Sequence, residues 1–93
     1  MSNRIWKIRG FEGTVLIFER SLPEGSLSES EIIVMLQRLV ARHLNEGEVI
    51  GGSLRQGTAG YRHDFEVERA RGQSFCLMTN GSGTHYTATI EVA

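Results

Sequence analysis

One segment of this chain carries a helix start that limits what the rest can be. Ser28 stands three residues before Glu31, the spacing at which each side chain bonds the other's backbone N–H. Leu27 before the cap and Ile32 after it can close a hydrophobic staple. Glu29 and Glu31 suit the positive end of the helix dipole. Ile32, Ile33, Leu36, Leu39, Val40 and Leu44 then recur on one broad face, while Gln37, Arg38 and Arg42 fall elsewhere. The pattern predicts an amphipathic helix over residues 29–45, with Gly47 as its stop. A helix with one apolar stripe must bury it against a complementary surface.

The remaining sequence offers a sheet. "RIWKIRG" alternates, with Trp6 and Ile8 on one side and Ile5 and Lys7 on the other. "TVLIFER" contains an unbroken apolar run from Val15 to Phe18, which predicts a strand in the interior of the sheet. The two segments form a hairpin, and Pro23 and Gly25 end it. After the helix, "YRHDFEVERA", "SFCLMTN" and "HYTATIEV" read as three more strands, joined by "ARGQ" and "NGSG" turns. The expected fold is α+β, ordered ββαβββ. One amphipathic helix packs on one face of a five-stranded, mainly antiparallel sheet. At 93 residues the chain is a single domain, 1–93. Strand order stays open, and a parallel pair through a right-handed crossover is allowed. Residues 47–60 hold five glycines, Gly47, Gly51, Gly52, Gly57 and Gly60, and read mostly as a long connector.

Several functions are disfavoured at this stage. Net charge is −1, so no general pull toward nucleic acid or anionic membrane is expected. Six arginines between residues 38 and 71 are offset by five acids. Nucleic-acid binding through Arg38, Arg42, Arg55, Arg62, Arg69 and Arg71 is therefore a minor alternative. Cys76 is the single cysteine, which excludes an internal disulfide and a cysteine metal site. It fits a reducing, cytoplasmic setting. The N-terminal stretch lacks the apolar core of a signal peptide, and no run approaches the ~18 apolar residues of a membrane span.

The titratable residues give no catalytic constellation. In a strand over 61–70, Tyr61, His63, Phe65 and Val67 share one face, and Arg62, Asp64, Glu66 and Glu68 the other. His63 and Asp64 then point apart and cannot form a local pair. His43 lies in the last turn of the helix and His85 opens the last strand. If His43 and His63 met beneath the helix, a pH-sensitive contact would follow. "GGSLRQGT" copies P-loop spacing but has Thr58 where the lysine belongs, and it follows a helix. No catalytic residue, metal ligand or cofactor is assigned.

One helix covers one sheet face. The other would carry Ile5, Val15, Ile17, Cys76 and Met78 beside Asp64, Glu66 and Glu68. Such a patch with a polar rim is a candidate interface, unless the glycine-rich loop covers it. The expected partner-binding residues are thus Ile5, Val15, Ile17, Met78, Asp64, Glu66 and Glu68, with Arg38 and Arg42 as a second, basic pair on the helix. The expectation is a small cytoplasmic, non-enzymatic protein-binding module acting by surface occupancy. Inhibitors and adaptors, including phage-type inhibitors of host machinery, are of this kind. The partner is another protein or a second copy of the chain, and not a membrane. The alternative is an enzyme or small-ligand binder using His43, His63 and the glycine-rich loop.

Overall fold

A computed structural model describes residues 4–70, 75–81 and 83–92. Strands β1 (Arg4–Glu12) and β2 (Val15–Pro23) form the hairpin, and a 3-10 turn (Glu24–Ser26) leads into helix α1 (Glu29–Ala41). A second helix, α2 (Glu46–Ser53), follows, then β3 (Val67–Ala70), β4 (Cys76–Thr79) and β5 (Thr84–Val92). The sheet order is β2-β1-β5-β4-β3, and every neighbouring pair is antiparallel. The α+β class, the five strands and the antiparallel pairing agree with the sequence pattern. The turn read over residues 71–74, and Ser82 in the second turn, lie outside the described residues.

α1 begins as its sequence dictates. The Ser28 hydroxyl accepts from Glu31 N–H at 3.2 Å, and the Glu31 carboxylate accepts from Ser28 N–H at 2.9 Å. Ile32, Leu36 and Val40, each four apart, are fully buried. They close on Trp6, Ile8, Leu77, Tyr86 and Ala88 from three adjacent strands. The Trp6 indole N–H donates to the Leu27 carbonyl at 3.3 Å, which fixes the approach to the helix. Arg69 of β3 pairs with Glu29 at its N-terminus.

Gly10 explains how β1 fits beneath this layer. It pairs with Tyr86 of β5 on one side and Phe18 of β2 on the other. The two rings stand edge to face at 6.2 Å. A Cβ on Gly10 would lie 2.5 Å from the Tyr86 ring. Absence of a side chain here lets two aromatics meet across β1.

Four expectations are corrected. First, β2 is an edge strand and not an interior one. β1 instead pairs along its whole length with β5, so the apolar run of β2 has no second strand neighbour among the described residues. Second, the alternation of β2 inverts at a bulge. Gly10 opposes Phe18 but Phe11 opposes Leu16, leaving Ile17 as the extra residue. Directly opposed residues share a face. Leu16 therefore joins Phe11 on the face away from α1, and Val15 joins Glu12 on the helix side.

Third, only Val67–Ala70 of "YRHDFEVERA" is strand. Residues 61–66 turn, with the Glu66 N–H donating to the His63 carbonyl at 3.1 Å. Fourth, Gly47 does not stop α1. It lies in the first turn of α2, which Asn45 and Glu48 open with a capping box of their own. α1 ends sooner, at Ala41. Gly51 and Gly52 are where other chain presses in. A Cβ on Gly51 would sit 2.7 Å from the Gly60 carbonyl, and one on Gly52 2.7 Å from the Phe65 ring.

α2 lies on the α1 side of the sheet, where Gly52, Ser53 and Phe65 border a cleft with Val34 and Gln37 of α1. It leaves the second sheet face uncovered. No described residue of that face is buried.

Gly10→Ala is expected to destabilise the fold by about 1–3 kcal/mol through overpacking. Gly25→Ala, with open space around it, serves as the control. Urea denaturation of both variants measures the difference, and equal midpoints would contradict the Gly10–Tyr86 packing.

Candidate partner-binding surface

The residues singled out from the sequence do not form one surface. Ile5 and Met78 lie on the uncovered face, both half-buried, with Glu68 opposite Met78. Between them runs an ionic row. The Arg9 guanidinium donates to Glu19 at 2.9 Å, to Glu91 at 2.8 Å and to Thr89 at 3.4 Å. The Arg9 bond, aided by Thr89, holds the Glu91 carboxyl below its ordinary pKa. This row divides the apolar patch that strand parity predicts.

Asp64 and Glu66 belong to the 61–66 turn. Asp64 is buried and takes Nε of Arg62 at 2.7 Å. Arg62 also reaches Glu48 of α2 at 3.0 Å, so this pair ties the turn to the helix. Glu66 accepts from the Tyr61 hydroxyl, lies 2.7 Å from Nδ1 of His63 and accepts from Asn80 at 3.4 Å. These bonds, the Tyr61 one foremost, lower the Glu66 pKa. The Tyr61 phenol moves the opposite way, because its proton is held by that carboxylate.

The histidines are held apart. His43 Nε2 lies 2.7 Å from the Tyr86 hydroxyl, while His63 is bound to Glu66. His85 stacks on Phe11 at 5.3 Å. Among the described residues no three His, Cys, Asp or Glu side chains converge to hold a metal ion. Burial raises the Cys76 thiol pKa, the opposite of what a thiolate nucleophile requires.

Two features stand out instead, and both lie on β2. Val15, Leu16 and Ile17 are 63%, 49% and 43% exposed. They form three consecutive exposed apolar residues on a nine-residue edge strand. The opposite edge, β3, is four residues long and carries Glu68 and Arg69. A short, charged edge resists pairing with another chain, whereas a long apolar one invites it.

The second feature is a groove of about 310 Å³ between β2 and α1. Phe18 and Leu22 line it from the strand, Met35 and Leu39 from the helix, and Ile8 forms its floor. Arg20 and Arg42 stand at its rim. Neither has an ion-pair partner among the described residues. The groove arises from two periodicities side by side. Phe18, Arg20 and Leu22 are the helix-facing row of β2, and Met35, Leu39 and Arg42 are one stripe of the helix and its cap.

Sequence parity missed this site. It placed the apolar run of β2 in the sheet interior and so left it no free edge. Arg20 went unremarked because its importance depends on the strand having no outer neighbour. Arg38 and Arg42 are exposed on the helix, and only Arg42 reaches the groove. No described helix is long and apolar enough to cross a membrane. Comparison with family models, curated proteins and solved structures gave no match.

Glu66 and Glu91 both have lowered pKa values, so each stabilises the fold above its unfolded pKa near 4.3. That stabilisation is lost as pH falls through the folded value. Carboxyl NMR titration should give both midpoints below about 4.3. Tyr61→Phe should raise that of Glu66, and Arg9→Ala that of Glu91. Unmoved midpoints in the two variants would refute the assigned bonds.

Proposed function

We propose that the protein is a small, non-enzymatic protein-binding module that works by occupying a partner through the free edge of β2. The observation that carries this is the exposed run Val15–Leu16–Ile17 on a nine-residue edge strand. An edge strand presents unpaired N–H and C=O groups along its length. An incoming chain can satisfy them while covering apolar side chains, which gives affinity from the main chain and specificity from side-chain pockets. An inhibitor or adaptor role fits such a surface. The single, half-buried Cys76 suits a reducing cytoplasmic setting.

The competing reading, an enzyme or ligand site built on His43 and His63, loses support because each ring serves a different partner. Binding of nucleic acid through the six arginines has less support because two of them, Arg62 and Arg69, pair with carboxylates.

Selection of displayed random peptides on the immobilised protein tests the proposal. Clones should bind saturably and be lost on a Leu16→Lys/Ile17→Lys variant that retains the wild-type melting profile. Both positions are exposed, so the double substitution should change stability little. Clones that bind wild type and variant alike would overturn the role of this edge.

A further inference from the structure

The groove beside β2 gives the partner a chemistry. We infer that it accepts an extended segment of another protein as a sixth strand, with bulky apolar and acidic side chains alternating along the groove-facing row. This rests on the proposed edge-binding function and makes it specific.

The geometry sets the order of side chains. Phe18, Arg20 and Leu22 occupy every second position of β2 and face the α1 side, since they pair with Gly10, Ile8 and Trp6. A strand laid against this edge opposes each with one residue of its own row. Apolar residues belong opposite Phe18 and Leu22, where Met35 and Leu39 complete the walls. An acid belongs opposite Arg20. Arg42 caps the end of α1, near Tyr86, on which its charge acts. Tyr86 touches Phe18, so Arg42 marks the Phe18 end of the groove and calls for a second acid there. Residues of the alternate row would lie over the ionic face of Glu19 and Ser21, and need only be polar.

Charge also argues against a second copy as occupant. Two copies of β2 paired antiparallel about mid-strand place Glu19 directly opposite Glu19. The same register sets the two copies of Arg20 on one face, each diagonal to the other. Like charges directly opposed in a sheet are destabilising, and the helix-facing row of β2 offers Arg20 no acid. A partner that brings carboxylates satisfies Arg20 and Arg42 together.

The test uses a labelled peptide, Glu-Thr-Phe-Thr-Glu-Thr-Leu-Thr-Glu, and fluorescence anisotropy. One control replaces its glutamates by lysines. A second keeps the composition but moves the glutamates to intervening positions, which face the other side of a strand. The parent peptide should bind at least about tenfold more tightly than either control, about 1.4 kcal/mol, and more weakly as salt rises. Arg20→Glu and Arg42→Glu should each erase most of that preference, and amide exchange should slow along β2.

Equal binding of all three peptides would overturn the inference. So would an unchanged preference in the Arg20→Glu variant, or unchanged amide exchange along β2. If light scattering shows a dimer that Leu16→Lys/Ile17→Lys dissociates, a second copy fills the edge and the acidic partner is wrong. The two levels separate cleanly. Display clones lost on the edge variant but indifferent to peptide charge would retain the binding module and discard this ligand class. Clones indifferent to the edge variant would discard both.

Discussion

The contact between α1 and three strands governs the molecule. Ile32, Leu36 and Val40 meet Trp6, Ile8, Tyr86, Ala88 and Leu77, and all are essentially removed from water. Truncating one such buried aliphatic side chain typically removes about 2–5 kcal/mol, a large share of the stability of a domain this small. The layer exists on one side of the sheet only. Everything on the other side must therefore be compatible with water, and the Arg9 row with Glu19 and Glu91 is how the middle of that face achieves it.

The same contact fixes where the free edge lies. α1 lies over β5 and β4, with Trp6 and Ile8 of β1 completing the buried layer, which places β2 at the margin of the covered area. The strand keeps one row, Phe18 to Leu22, beside the helix and has no further strand beyond it among the described residues. A groove follows from this offset, since helix and edge strand are neighbours without closing on each other. The bulge at Ile17 then changes which side chains the far end of β2 presents, and moves Leu16 to the opposite face from the one parity assigns.

The turn over residues 61–66 shows how charged residues can serve packing. Asp64, Arg62 and Glu48 join it to α2, and Tyr61, His63 and Asn80 gather on Glu66. In the sequence these residues resemble the polar side of a strand or a cluster for chemistry. In the fold they hold a connector in place. Their alternation arises without a ladder: the backbone there bonds within local turns, to the Gly51 carbonyl of α2 and to the Asn80 N–H.

The sequence by itself determined what is local. The capping box, the four-residue apolar spacing of α1, the hairpin and the alternating last strand depend on neighbours within a turn or a few residues, and all were legible. The second capping box, Asn45 to Glu48, is equally local, but Gly47 reads as a stop, and Gly51 and Gly52, which admit Gly60 and Phe65 from later in the chain, read as loop. Tertiary structure alone decided strand order, the bulge and the open edge. Each depends on which distant segment lies alongside. An apolar run such as Val15 to Phe18 has the same composition whether it is buried between two strands or left to receive one.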